Sequence, residues 1–277
     1  MSQVPYEAPA RIESRASIAS DDPAAAWLAS GAPISRSVGA VEVVSVPLTA
    51  APAAVGELAQ CLSDEERGRA SRFAFERDRR RFIVGRAWLR RLLASRLGLQ
   101  PEAVEITYGP RGKPGLPPHL ADSGLRFNVS HSEDLAVYAF SRGREIGIDV
   151  EAVRAIEDAD AIAERFFSAR EISAYRALDP RDKPVGFFNC WTRKEAFIKA
   201  IGEGLSHPLD SFDVSLMPGE PARILRVDGV DGDRCGWHLE SFSPVPGFVA
   251  AVVIEGAKQR FGIASAPVHS ARPETMR

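Results

Sequence analysis

The sequence predicts an α+β protein whose sheets are mainly antiparallel. A helix-forming stretch followed by several short strand candidates occurs twice along the chain, without the strict strand and helix alternation of a doubly wound parallel sheet. The chain has 277 residues, of which 45% are hydrophobic and 26% are charged. This length and composition are sufficient for one large domain or two small ones.

The two ends of the chain are predicted to lie outside the folded part. Residues 1–40 and 259–277 are rich in Ala, Ser and Pro and have no hydrophobic period. We therefore predict a disordered or loosely attached extension at one end and a flexible tail at the other. The folded part is expected to begin at Val41, where Val-Glu-Val-Val-Ser-Val has the β-branched content of a strand.

In the first half of the chain, helices precede a group of strands. Ser63 followed by Glu66 forms a capping box, which predicts that a helix begins there. The apolar spacing of residues 77–97 predicts a further helix, which Gly98 ends. Short strands separated by Gly- and Pro-rich turns are predicted at residues 105–107, 125–129, 135–140 and 146–150.

The second half has the same order. Three helices are predicted. One covers residues 162–167, the next begins at the capping box of Ser168 and Glu171, and the third covers residues 185–201. Strands are predicted at residues 212–216, 237–242 and 248–254.

Composition and charge exclude several classes of protein. The formal net charge of −2 gives no electrostatic reason for non-specific binding to nucleic acid. No apolar run approaches the roughly 20 residues of a membrane-spanning helix, and the N-terminus has no apolar signal segment, so a cytoplasmic protein is expected. The cysteines lack disulfide or zinc-ligand patterns and are expected to be buried thiols; they are Cys61, Cys190 and Cys235.

The first segment with chemical potential is Phe-Asn-Val-Ser-His-Ser at residues 127–132, where a predicted strand runs into small polar residues. At a strand end, the hydroxyl of Ser130 and the imidazole of His131 could both reach a phosphate. Such a pair alone is more often part of a turn or a surface histidine.

The second segment is Gly-Ile-Asp-Val-Glu at residues 147–151. Side chains alternate across a strand, so Asp149 and Glu151 should share one face while Ile148 and Val150 share the other. Two adjacent carboxylates repel each other, and a shared hard cation such as Mg²⁺ makes the arrangement favourable. A solvated edge strand is the alternative.

The third segment is Trp-Thr-Arg-Lys-Glu-Ala-Phe-Ile-Lys at residues 191–199, on the strongest predicted helix. Glu195 interrupts an apolar stripe formed with Trp191 and Ile198, where an unpaired carboxylate is costly. Lys199 could supply an ordinary i,i+4 ion pair. The alternative brings Glu195 to the carboxylate pair as a third metal ligand.

Taken in order, these segments resemble the Sfp-type phosphopantetheinyl transferases, whose marks are GxD(I/V)E and WxxKExxxK. The likeness extends to Arg-Gly-Lys-Pro at 111–114, Arg-Phe-Phe-Ser at 165–168 and His-Pro-Leu-Asp-Ser-Phe at 207–212. The resemblance implies the 4′-phosphopantetheinyl transferase fold, a monomer of two similar halves related by pseudo-twofold symmetry. The halves are expected at residues 41–145 and 146–258, with coenzyme A in the cleft between them.

The resemblance also implies the reaction. Phosphopantetheine would pass from coenzyme A to a serine of an acidic acyl or peptidyl carrier domain, with release of adenosine 3′,5′-bisphosphate. Asp149, Glu151 and Glu195 are expected to hold Mg²⁺. Glu195 would also take the serine proton, directly or through a metal-bound water, and Lys199 would stabilise or protonate the departing phosphate. The residues expected to contact coenzyme A are Ser130, His131, Lys113, Pro114, Arg69, Arg81 and Lys199.

Other functions remain open on the sequence. The same carboxylates, histidine and lysine could serve a metal-dependent phosphohydrolase acting on coenzyme A or another diphosphate. A third class is a non-catalytic protein that binds coenzyme A or a carrier, although pure binding does not require a carboxylate inside an apolar stripe. Nucleic-acid binding through the arginine-rich helix is disfavoured because the chain as a whole is slightly acidic.

Overall fold

The structure, a computed structural model, describes residues 32–38 and 41–256. It has the predicted α+β architecture. The strands form a four-stranded sheet of order β1-β2-β6-β5, two three-stranded sheets of order β11-β12-β7 and β10-β9-β8, and a hairpin of β3 and β4. Every strand pair within these sheets is antiparallel, as the sequence predicts.

The bounds of the described elements are as follows. The helices are α1 (Pro52–Gln60), α2 (Asp64–Ala70), α3 (Glu76–Leu97), α4 (Ala159–Phe166), α5 (Ala169–Arg176) and α6 (Lys183–Ile201). The strands are β1 (Ile34–Val38), β2 (Val41–Pro47), β3 (Thr107–Tyr108), β4 (Pro114–Gly115), β5 (Leu125–Ser132), β6 (Leu135–Arg142), β7 (Ile146–Ala152), β8 (Phe212–Val214), β9 (Ile224–Val227), β10 (Val230–Asp231), β11 (Trp237–Phe242) and β12 (Phe248–Glu255).

Helix ends follow the predicted local signals. Ser63 caps α2 and Ser168 caps α5, each in a complete capping box with Glu66 or Glu171 three residues later. Helix α3 ends at Gly98, whose φ of 69° lies in the left-handed region that glycine adopts without steric cost. These three boundaries are therefore fixed by residues next to them in the sequence.

The four-stranded sheet, called the first sheet, carries helices α1, α2 and α3 on one face. Apolar side chains of α3 such as Ile83 and Leu93 pack there against Val46, Phe127 and Tyr138 of the sheet. In the same way, α4, α5 and α6 cover one face of the second sheet, β11-β12-β7. Each half of the chain thus has a helical layer on an antiparallel sheet.

The two sheets pack their other faces against each other. Strands β2 and β6 contribute side chains to this central core, and β7 and β12 contribute the opposing ones. Ile148 and Val150 are fully buried there, which stabilises the fold by roughly 1.5–3 kcal/mol for each side chain. Asp149 and Glu151 lie on the opposite face of β7, so the predicted alternation is confirmed.

Among these helices and strands, β1, α1, β4, β9 and β10 were not predicted. Residues 34–38, assigned to the extension with the Ala-, Ser- and Pro-rich N-terminal residues, form β1, because their backbone pairs with β2 from Ile34–Ser45 to Val38–Val41. Helix α1 lacks a side-chain N-cap and begins on Pro52, so it offers only a weak local signal. The rest of the predicted extension, residues 1–31, and the predicted tail lie outside the described residues. Among the described helices, none is long and apolar enough to cross a bilayer.

Candidate active site

Strand β5 of the first sheet lies beside β7 of the second, and we call the line between them the seam. The side-chain amide oxygen of Asn128 accepts a hydrogen bond of 2.9 Å from the backbone nitrogen of Ile148. Two residues further along β5, the hydroxyl of Ser130 donates to Oδ1 of Asp149 at 2.7 Å. Both contacts join the two halves of the chain through side chains, since the strands belong to different sheets.

A third contact joins the end of β5 to β7. The hydroxyl of Ser132 donates to Oε2 of Glu151 at 2.7 Å and accepts from the backbone nitrogen of Ala152 at 3.2 Å. Asn128, Ser130 and Ser132 alternate along β5, so they share the face that meets β7. The contacts advance in the same direction on both strands, so β5 and β7 run parallel along the seam.

Helix α6 crosses β7 at unusually close range over Gly147. A Cβ atom on Gly147 would lie 2.9 Å from the carbonyl carbon of Lys199, and closer still to the Ala196 oxygen and the Ala200 nitrogen. Glycine is therefore required at this position by the approach of the helix. Because Glu195 and Lys199 lie within this contact region of α6, the crossing places both beside the β7 carboxylates.

The ion pair of Lys199 is with Asp149. Its ammonium nitrogen lies 2.6 Å from Oδ1 of Asp149 and 3.2 Å from the hydroxyl of Ser130. Oδ1 of Asp149 thus accepts from two donors, whereas Oδ2 is buried and has no hydrogen-bond partner among the described residues. Asp149 is 4% exposed, so an unpaired carboxylate oxygen there carries a desolvation cost.

Burial raises the pKa of two further carboxyl groups at the seam. The pKa of Glu195 is raised to about 7, first by burial and then by the negative charge of Asp149, although Lys199 opposes the rise. The pKa of Glu151 is also raised to about 7 by burial and Asp149, against the hydrogen bond from Ser132 and the charges of Arg154 and Lys199. The site therefore concentrates more negative charge than its one lysine offsets.

Within residues 32–38 and 41–256, no three His, Cys, Asp or Glu side chains are grouped closely enough to hold a metal ion in this conformation. In this conformation the ammonium of Lys199 provides the positive charge next to Asp149.

Comparison with known proteins places this geometry in a family. A model described as "4′-phosphopantetheinyl transferase, N-terminal" matches residues 50–142, and one described as "4′-phosphopantetheinyl transferase superfamily" matches residues 145–253. The chain is 40% identical over 216 residues to the 4′-phosphopantetheinyl transferase HetI of Nostoc sp., an alignment that covers 78% of this chain and 88% of that protein. The chain belongs to the 4′-phosphopantetheinyl transferase superfamily. It is an enzyme of that class, so the predicted resemblance is confirmed.

A second relative agrees with this assignment. The 4′-phosphopantetheinyl transferase Sfp of Bacillus subtilis is 37% identical over 191 residues, which cover 69% of this transferase and 81% of that one. The solved structure of holo-[acyl-carrier-protein] synthase from Thermotoga maritima is 22% identical and covers 41% of this chain and 63% of its own. Its TM-score of 0.30 is too low to support an argument about the fold.

Lys194, in the middle of the motif at residues 191–199, contributes to the packing of helix α6 in this transferase. Lys194 is fully buried and its ammonium lies 2.8 Å from Oε2 of Glu171. It also donates to the backbone oxygens of Leu209 at 2.6 Å and Phe212 at 2.7 Å. Lys194 therefore ties α6 to α5, to Leu209 and to the first residue of β8.

Lys113 and Pro114 lie at the edge of the seam. The ammonium of Lys113 is 3.2 Å from a carboxylate oxygen of Glu145 and 3.3 Å from each of the backbone oxygens of Ile146 and Ala200. Pro114 pairs with Tyr108 in the β3–β4 hairpin. In this conformation Lys113 thus fastens the hairpin to the start of β7 and the end of α6.

Three other predicted ligands lie on the first half. His131 is exposed and, by strand alternation, faces the helical side of the first sheet rather than the seam. Arg81 binds the β5–β6 turn, with Nε 2.8 Å from Oδ1 of Asp134, while the guanidinium of Arg69 lies 5.3 Å from the ring centre of Phe82. In this conformation the two arginines therefore have their partners within the first half.

Sequence reasoning did not single out Asn128, Ser132 or the close approach at Gly147. The alternation of Asn, Ser and Ser at residues 128, 130 and 132 was the available signal, because it mirrors the alternation of Asp149 and Glu151. Among the cysteines, Cys61 and Cys190 are buried as predicted, whereas Cys235 is only half-buried, so that part of the prediction is wrong.

Proposed function

We propose that this transferase moves the 4′-phosphopantetheine group of coenzyme A to a serine of an acyl or peptidyl carrier domain in a Mg²⁺-dependent reaction. The product would be the holo carrier together with adenosine 3′,5′-bisphosphate. The observation that carries the proposal is the concentration of buried carboxylates and one lysine at the seam, from both β7 and α6.

The donor set fits a hard divalent cation. Asp149, Glu151 and Glu195 would hold Mg²⁺, since all three offer carboxylate oxygens, the ligand type that this ion prefers. Two observations support this assignment: Oδ2 of Asp149 has no partner among the described residues, and the pKa values of Glu151 and Glu195 are raised to about 7. When bound, Mg²⁺ would neutralise charge that builds on the diphosphate oxygens during transfer.

Glu195 is suited to accept the proton of the carrier serine. A general base works best when its pKa lies near the operating pH, and burial brings that of Glu195 to about 7. As the proton leaves the serine hydroxyl, the serine oxygen forms a bond to the β-phosphorus of coenzyme A. The bond from that phosphorus to the oxygen bridging to the adenosine 5′-phosphate breaks, and its electron pair departs with adenosine 3′,5′-bisphosphate.

Lys199 can serve the leaving phosphate. Its ammonium is already at the seam, 2.6 Å from Asp149, and a phosphate oxygen offers it a comparable charge-assisted hydrogen bond. In Lys199→Ala, turnover should therefore fall more than coenzyme A affinity does. A fall in affinity alone would make Lys199 a binding residue only.

Coenzyme A would lie across the seam toward the first half. Ser130, His131, Lys113 with Pro114, Arg69 and Arg81 are proposed to contact it, the cations by charge-assisted hydrogen bonds to phosphate. For Arg81 and Lys113 this requires exchange of the present partners Asp134 and Glu145 for phosphate oxygens.

We also propose an acidic carrier partner, because α3 presents arginines that would attract acidic surfaces. A single chain supplies both sides of the seam, which supports a monomer with two halves that meet near residue 145, the first of which includes β1. The free cysteines support a reducing location such as the cytoplasm.

The test is intact-mass spectrometry of apo acyl and apo peptidyl carrier proteins after incubation with the enzyme, coenzyme A and Mg²⁺. A gain of one phosphopantetheine mass, matched by adenosine 3′,5′-bisphosphate in the supernatant and abolished by EDTA, is the expected result. Loss of coenzyme A without a carrier adduct would instead support a phosphohydrolase.

Glu195→Gln keeps the shape of the side chain and removes its charge, so transfer should fall by roughly 10²–10⁴-fold. Glu164→Gln is the matched control, because Glu164 is an exposed residue of α4 that pairs with Arg176 on the surface. Normal transfer by Glu195→Gln would remove Glu195 from the mechanism.

A further inference from the structure

Glu151 belongs to the second sheet, but its orientation is set from the first. Its Oε2 accepts the hydroxyl hydrogen of Ser132 at 2.7 Å, across the seam. Arg154 lies 3.9 Å from the same oxygen and therefore contributes a weaker, longer contact. Of these two contacts, the hydrogen bond from Ser132 is the shorter and holds the carboxylate of Glu151 more firmly.

The hydroxyl of Ser132 is itself fixed in place. It accepts a hydrogen bond of 3.2 Å from the backbone nitrogen of Ala152, the residue after Glu151. The hydroxyl hydrogen is therefore directed at the carboxylate while the oxygen is held by the neighbouring backbone. Ser132 is 8% exposed, so bulk water has little access with which to replace the lost bond.

The turn that follows Ser132 is anchored as well. Glu133 has a φ of 47°, and Asp134 accepts a hydrogen bond of 2.8 Å from Arg81 on α3. In this conformation, while Asp134 is its partner, Arg81 restrains the turn that follows Ser132. This series of contacts connects α3 of the first half with Glu151 of the second.

We infer that Ser132 is a positioning residue: it holds one oxygen of Glu151 so that the other is directed to the cation, and it makes cation binding depend on the closed seam. The inference rests on the proposed function, because it takes Glu151 to be a metal ligand. Partners of ligating carboxylates commonly change metal affinity by about 10–100-fold when removed.

The experiment measures binding of Mn²⁺, as a paramagnetic substitute for Mg²⁺, by electron paramagnetic resonance on the full-length protein, with and without coenzyme A. Ser132→Ala should raise the dissociation constant of Mn²⁺ by about 10–100-fold. Ser132→Thr retains the hydroxyl and should restore affinity to near the wild-type value. In transfer assays, Ser132→Ala should need more Mg²⁺ for half-maximal rate and recover most of its kcat at saturation.

Ser141→Ala is the matched control. Ser141 is a buried serine of β6 whose hydroxyl donates to the backbone oxygen of Arg144 at 2.6 Å, away from the seam carboxylates. Its loss should lower the melting temperature by an amount similar to Ser132→Ala but leave Mn²⁺ affinity unchanged. This comparison separates loss of a buried hydrogen bond from loss of metal positioning.

Two outcomes overturn the inference and can be told apart. If the wild type binds Mn²⁺ and Ser132→Ala binds it equally well, Ser132 does not position Glu151, and the proposed function is unaffected. If the wild type binds no Mn²⁺ in either condition, the metal assignment of the proposed function fails, and the inference fails with it.

Discussion

Replacement of Gly147 by alanine should separate the geometry of the site from its chemical groups. A Cβ atom there would lie 2.9 Å from the carbonyl carbon of Lys199 and closer to two neighbouring backbone atoms of α6. Ordinary carbon contacts are about 3.5–4.0 Å, so α6 has to move from β7 by about 1 Å. Overpacking of this kind costs about 1–3 kcal/mol of unfolding free energy.

The same shift separates Glu195 and Lys199 from the carboxylates of β7. A displacement of about 1 Å in a catalytic group can reduce the rate by about 10²-fold. Gly147→Ala should therefore show a transfer rate about 10²-fold lower while most of the protein remains folded. The assay is carrier transfer rate at saturating coenzyme A, beside urea denaturation. Gly68→Ala is the control, because its new methyl group meets nothing within 4 Å; transfer should stay near wild type, and unfolding free energy should rise by about 0.5–1 kcal/mol, since Gly68 lies inside α2. Wild-type transfer by Gly147→Ala would refute the view that this close crossing sets the site.

Two further predictions concern buried charge. Lys194→Met leaves Glu171 buried without its ammonium partner and should lower the free energy of unfolding by about 3–5 kcal/mol in urea denaturation. The control, Lys183→Met, removes a surface pair with Asp160 and should cost about 1 kcal/mol or less. Equal losses in the two variants would contradict the structural role of Lys194. The pKa of Glu195 is raised from 4.5 to about 7 in the folded protein, so the folded state binds the extra proton and stability is lost as pH rises between those values. In EDTA, the free energy of unfolding of the wild type should therefore fall by about 3 kcal/mol more than that of Glu195→Gln between pH 4.5 and 8. Identical pH profiles of the two proteins would show that folding does not raise the pKa of Glu195.

Local features of the sequence are sufficient for much of the fold. The capping boxes at Ser63 and Ser168 and the left-handed Gly98 depend on residues within three or four positions, so the helix ends they mark are readable without a structure. The same holds for Asp149 and Glu151 on one face of β7, because strand alternation depends only on local geometry. Helix α1 and β1 were missed because their formation depends on packing and pairing rather than on such signals.

By itself, the sequence determined the α+β class, the helix ends and the residue types of the site, including the family resemblance. The tertiary structure decided which of those residues meet. Lys199 pairs with Asp149, 50 residues away, a partner that the sequence analysis did not name for it. Ser132 reaches Glu151 across the seam, and Gly147 admits α6 because no Cβ stands in its way. These contacts join distant segments, and their free energy depends on burial and close approach, which arise only when both sheets and their helices have packed together.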